Sequence, residues 1–145
     1  MVQKFRERSN GEGGFTLVEL LVVMLILGLL AAIAIPSFFN QRDKAKDADA
    51  KASVRTAQTA IETYATDNDG AYTDADTDAL ETIEPTLADA PNAVVVDSAG
   101  TKDYSLTVES STGTTFTIAR DVNGNTDLTC APEETGGCPI GGDWG

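Results

Sequence analysis

Histidine is missing from this 145-residue chain, and bases are scarce: 10 Lys and Arg against 23 Asp and Glu, a net charge of −13. Without imidazole there is no histidine-based triad or proton relay. A metal centre loses its commonest nitrogen ligand. No Gly-rich phosphate loop precedes a helix, and no Ser sits in a nucleophile-elbow setting. Carboxylate pairs abound, but nothing marks one as a cleft dyad. No enzyme activity and no catalytic residue are expected. Beyond Arg55 the only bases are Lys102 and Arg120. Such an acidic half argues against a sequence-independent grip on nucleic acid phosphates, so no direct nucleic acid binding is indicated. It reads first as a solvated, self-repelling surface, with a cation-dependent surface as the alternative.

What the chain has instead is one long apolar run near its start. Residues 20–35 carry no charge and no side-chain hydrogen-bonding group. Extended to residues 15–39 the run is 25 residues long with a single charge, Glu19. As a helix that is roughly 37 Å, against a bilayer core of about 30 Å. The segment can span once, with some tilt. Lys4, Arg6 and Arg8 precede it and favour a cytoplasmic leader, although Arg42, Lys44 and Lys46 beyond it weaken the asymmetry. A secretory signal places its small residues after the apolar stretch. Here Gly13 and Gly14 come before it, and a cut between Gly14 and Phe15 would keep the apolar segment. Glu19 sits near the helix start, where the positive end of the helix dipole favours it. Once freed, a Phe15 amine with a pKa of roughly 7.7–8.0 is a ready partner. The alternative is an interfacial Glu facing headgroups.

The helical pattern continues past the apolar run. Ala50, Val54, Ala57, Ile61 and Tyr64 recur at four, three, four and three residues, one face of an amphipathic helix. Asn68-Asp69-Gly70 stops it. Residues 15–67 therefore read as one helix, its first half membrane-spanning and its second half amphipathic. Pro36 lies inside it and predicts a kink, and Gly28 weakens the same region. Residues 67–92 read as a connecting loop with one helical turn near 78–84. Strand signals follow at 93–96, at Tyr104, Leu106 and Val108, at Phe116 and Ile118, and at 126–130. Turns fall at 110–113 and 121–125, the second containing Asn123-Gly124. The expected fold is α+β: the long N-terminal helix packed on a small antiparallel sheet of three to four strands. The organisation is a leader (1–14), a transmembrane helix (15–39), its amphipathic continuation (40–67) and a globular part (68–145).

Two cysteines, Cys130 and Cys138, are separated by seven residues. On a translocated domain they read as a disulfide, the alternative being two free thiols. Asp121, Asn123, Asn125 and Asp127 alternate as oxygen ligands and raise calcium as a candidate. Gly124 comes two places too early, however, and no Glu closes the loop. A turn with a solvated surface is the favoured reading, with no cofactor expected.

The words Gly14-Phe15-Thr16-Leu17-Val18-Glu19-Leu20-Leu21-Val22-Val23 resemble the class III signal of type IV prepilins and type II secretion pseudopilins. The resemblance is close over residues 13–39, weaker at the helix exit around residues 64–72, and architectural beyond. It implies cleavage after Gly14 by a prepilin peptidase and N-methylation of Phe15. It implies that Glu19 pairs with the N-terminal amine of an adjacent subunit during filament assembly. It also implies that Gly28 to Pro36 can lose helix inside a filament. The partners implied are other copies and other pilins, an inner-membrane assembly platform, and membrane lipid before assembly. The location implied is a single-pass inner membrane protein that moves to a surface pilus or a periplasmic pseudopilus. Cys130 and Cys138 resemble the bounds of the pilin C-terminal loop. The Pro-Trp-Gly-type motif of many major pseudopilins is absent, and the lone Trp144 lies in Gly-Asp-Trp-Gly. A type IV pilin is thus favoured over a pseudopilin. An anchored extracytoplasmic binding domain that never polymerises is the reading from another class. It would need neither Glu19 nor a cut at Gly14.

Overall fold

A computed structural model describes residues 14–88, 90 and 92–145. The leader bases Lys4, Arg6 and Arg8 and the glycine at 13 lie outside the described residues. The chain divides into two compact units, one ending at Ser37 and the other Phe38–Gly145.

Helix α1 runs Leu17–Asp67, 51 residues, with Pro36 inside it and helical assignment unbroken through Gly28 to Pro36. In the first unit its side chains are exposed, among them Leu21, Val22, Leu25, Leu29 and Ile33. Nothing in the unit covers them, which fits a segment whose solvent is lipid. In the second unit one stripe is buried: Asp47, Ala50, Val54, Ala57, Ala60, Ile61 and Ala65. The expected stripe is there with two changes. Tyr64 is only half-buried, and its hydroxyl donates to the Thr73 carbonyl at 3.1 Å. Ala60, Ala65 and Asp47 join the face because small side chains let the sheet approach closely. The helix ends at the expected turn. Gly70 N–H bonds back to the Ala65 carbonyl at 2.7 Å, with Asp69 in the left-handed region at φ 55.

The connecting loop is more ordered than its composition suggests. Asp76 caps α2 (Thr77–Ile83) by accepting from Ala79 N–H at 2.8 Å, and a 3-10 turn follows at Pro85–Leu87. The single helical turn expected at 78–84 is thus a seven-residue helix shifted one residue earlier. Leu80 and Leu87 anchor it in the core.

The sheet has four antiparallel strands in sequential order: β1 (Val94–Ala99), β2 (Tyr104–Glu109), β3 (Thr115–Arg120) and β4 (Thr126–Ala131). The expected strand at 93–96 is longer, because a bulge between Val96 and Ser98 lets β1 continue past Asp97. Asp97 points to the solvent face and accepts from Thr107 Oγ1 at 2.6 Å. Facing rows Leu106–Ile118–Leu128 and Val108–Phe116–Cys130 set the register. Tyr104, Leu106, Val108, Phe116 and Ile118 meet the α1 stripe in one core. The outer edge of β4 is occupied by the chain's own tail. Cys130 N–H donates to Gly142 O at 2.7 Å, Trp144 N–H to Leu128 O at 3.2 Å, and Trp144 Nε1–H to Thr129 O at 2.8 Å.

Candidate functional site

The start of α1 is built by four residues. Gly14 and Phe15 are both exposed, Phe15 at 82%, and a side chain added at Gly14 would meet open space. Thr16 and Glu19 cap the helix reciprocally. Glu19 N–H donates to Thr16 Oγ1 at 3.2 Å, while Thr16 N–H and Oγ1–H donate to Glu19 Oε2 at 2.9 and 2.8 Å. This is a capping box, Thr-x-x-Glu, in which each side chain satisfies an orphan backbone donor of the other. The sequence reading offered Glu19 the Phe15 amine and overlooked Thr16, although the three-residue spacing signals the box. Among the described residues Glu19 Oε1 has no hydrogen-bond donor. Glu19 is the only charge between Phe15 and Phe39.

A second centre joins the C-terminal loop to α1. Cys130 and Cys138 form a disulfide with Cα atoms 5.7 Å apart. The loop between them is pinned by Asp47, whose side chain is fully buried. Asp47 Oδ2 accepts from Gly137 N–H at 2.6 Å, and Oδ1 accepts from Thr112 Oγ1–H at 2.6 Å. One turn later on α1, Lys51 Nζ donates to the Gly137 carbonyl at 2.8 Å. Burial pulls the Lys51 ammonium below its usual range, with Asp47 opposing and Arg55 adding to the shift. Lys51 also lies over the rings of Phe116 and Trp144, at 5.1 and 5.4 Å from their centroids. Arg55 lies over Trp144 at 4.9 Å. Asp47 was missed by sequence reasoning. Its signal was available: it sits three residues before Ala50 and so continues the apolar stripe.

At the other end of the sheet Glu62 is the common acceptor. Oε2 takes the Tyr72 hydroxyl at 2.8 Å, and Oε1 takes Tyr104 at 3.0 Å and Arg120 Nη1 at 3.1 Å. Burial pushes the Tyr104 phenol up to about 12, opposed by a hydrogen bond from Gln58 and reinforced by Glu62. The four residues bind α1, the loop, β2 and β3 together. They form a structural tie and leave no cleft.

The residues raised for calcium are only partly gathered. Asp121 Oδ1 accepts from the backbone N–H groups of Asn123 and Asn125 at 2.9 and 2.8 Å, and Oδ2 accepts from Asn125 Nδ2 at 2.8 Å. These bonds, the Asn125 side chain first, hold the Asp121 carboxyl below its usual range. Asp127 stands in β4 opposite Ala119. Among the described residues no three acids or thiols gather as a metal site would need.

Comparison with known proteins matches both halves. The family described as "Prokaryotic N-terminal methylation motif" matches residues 9–35. The family described as "Type IV minor pilin ComP, DNA uptake sequence receptor" matches residues 36–132. Over 68 residues the chain is 38% identical to the type IV major pilin protein PilA of Myxococcus xanthus, covering 47% of this chain and 30% of that one. It is 40% identical over 57 residues to the type II secretion system core protein G of Pseudomonas aeruginosa, covering 39% and 40%. It is 35% identical over 65 residues to the competence protein ComGC of Halalkalibacterium halodurans, covering 45% and 64%. The match thus spans from under a third to under two thirds of these relatives' own lengths. No solved structure matches. An exposed apolar helix opening at Gly14-Phe15, continued into a four-stranded α+β head, is what these matches share, and the chain belongs to the type IV pilin and pseudopilin family.

Proposed function

We propose that this chain is a structural subunit of a type IV pilus, cut after Gly14, N-methylated at Phe15 and assembled through the first half of α1. The observation that carries the reading is the helix start. An uncovered apolar helix has its one acid held three residues from Thr16, one turn from the new N-terminus. Thr16 fixes Glu19 through Oε2, and Oε1 is then placed to accept the Phe15 amine of a neighbouring subunit. Glu19 and that amine would each compensate a charge in a low-dielectric filament core.

The disulfide-closed loop held on α1 favours a pilus subunit over a type II secretion pseudopilin. The likeness to core protein G keeps the pseudopilin as the second reading. Capture of DNA by this surface is disfavoured by charge, since Lys102 and Arg120 are the only bases beyond Arg55. The subunit works without a cofactor in this reading, because Asp121 is already supplied with N–H donors.

Intact mass and N-terminal sequencing of protein sheared from cells test the reading. A chain beginning at N-methylated Phe15, two hydrogens lighter than the dithiol, supports a surface pilus. Processed chain confined to the envelope points to a pseudopilus. An uncut chain in cells with a working prepilin peptidase overturns both.

A further inference from the structure

The charges of the Phe38–Gly145 unit are sorted along α1. Five of its seven bases, Arg42, Lys44, Lys46, Lys51 and Arg55, lie in a stretch of fourteen residues. Lys51 and Arg55 are engaged with Trp144. Arg42 and Lys44 are exposed and Lys46 is half-buried. At the other end of the same helix segment, residues 67–84 hold seven acids and no base. Asp67, Asp69, Asp74, Asp76 and Asp78 are exposed. Among the described residues the one ion pair is Arg120 with Glu62. Neither the basic end nor the acidic end is neutralised within the chain. Lys44 and Asp67 are 23 residues apart on α1, about 35 Å at the helical rise.

We infer that this surface receives a second copy of the chain, with Arg42, Lys44 and Lys46 of one copy seated on the Asp67–Asp78 segment of the other. The inference rests on the filament reading and deepens it. Copies inserted in one membrane by one signal stand parallel. Parallel copies in register set acid beside acid and base beside base, which repels. Shifting one copy along α1 by about 35 Å sets base against acid. The contact uses different patches on the two partners, so it repeats without closing, as a filament needs. The screening length is about 8 Å at physiological ionic strength, so only direct contact realises the attraction.

The test uses the full chain in cells that assemble it. Surface filament and processed membrane-bound subunit are measured for the native chain, for Arg42→Glu with Lys44→Glu, for Asp67→Lys with Asp78→Lys, and for all four together. Asp69, Asp74 and Asp76 are left alone because they shape the turn and cap α2. Each pair of reversals should lower surface filament about tenfold or more with processing intact, and the four together should restore most of it. Native filaments should also dissociate more readily as salt is raised.

Filaments indifferent to either pair overturn the docking, as does a fourfold variant no better than the pairs. A loss on reversing the bases that appears first as less membrane-bound subunit, and that the acid reversals do not rescue, assigns Arg42 and Lys44 to anionic lipid and overturns it too. A native chain that is never cut and never forms filaments defeats the filament reading itself, which none of the other outcomes does.

Discussion

Asp47 and Gly137 are ninety residues apart in sequence, yet the carboxylate of one accepts the backbone N–H of the other at 2.6 Å. The same carboxylate takes Thr112, so a single helical acid fixes both the β2–β3 turn and the disulfide loop. Removing it leaves a buried N–H and a buried hydroxyl unpaired. Asp47→Ala should destabilise the head by about 2–4 kcal/mol, read as a lower unfolding midpoint of the full chain in detergent. Gly137→Ala should act in the same direction, because a methyl there would come within 2.9 Å of Asp47 Cβ. An unchanged midpoint in both variants would remove Asp47 as the anchor.

The disulfide and this anchor restrain one loop, so their effects should not add. Closing so short a ring contributes roughly 2.5 kcal/mol through chain entropy. Cys130→Ser with Cys138→Ser should cost about that much in the native background and a different amount when Asp47 is already Ala. The four midpoints of this cycle measure the coupling, and strict additivity would show the two restraints to be independent.

Tyr104 sets the alkaline limit. Its folded pKa of about 12 lies above the ordinary phenol value of 10. The buried neutral form therefore contributes stability that is fully present below pH 10 and is lost as pH rises towards 12. With screening by solvent the loss should reach about 2 kcal/mol. Unfolding midpoints measured from pH 8 to 12 should fall in that window, and Tyr104→Phe should flatten the fall. A native curve that is level to pH 12 would contradict the shift.

Thr16 and Glu19 should separate helix start from assembly. Thr16→Val removes the cap and should lower protection of the first turn in hydrogen exchange while leaving filaments able to form. Glu19→Ala should abolish filaments although Gly14 is still cut. If Glu19→Ala assembles normally, the acid is only a cap.

The long helix, the strand order and the turns were legible because each rests on local chemistry: apolar period, β-branched alternation, and Asn-Gly or Asp-Gly words. Glu19 stood out as a charge inside oil. Asp47 and Glu62 did not, because their partners lie in other elements and a helical acid normally reads as solvent-facing. Asp97 hid the second half of β1 for a related reason: an acid in a strand looks like an end until a bulge turns it outward. The disulfide was readable from its spacing, and its attachment to α1 was not.

The tail that lies along β4 has a consequence for life in a crowded bilayer. Subunits waiting in a membrane pool meet one another in two dimensions, all facing the same way. An open strand edge there would invite sheet-to-sheet addition and trap them as aggregates. Gly142 and Trp144 spend the backbone groups of Cys130, Leu128 and Thr129 on the chain itself. At the far side the Asp97 bulge breaks the straight edge of β1, and α2 lies against that strand. The heads are left with side-chain contacts alone, which can be made and undone, so the order in which subunits join is free to be set by their helices.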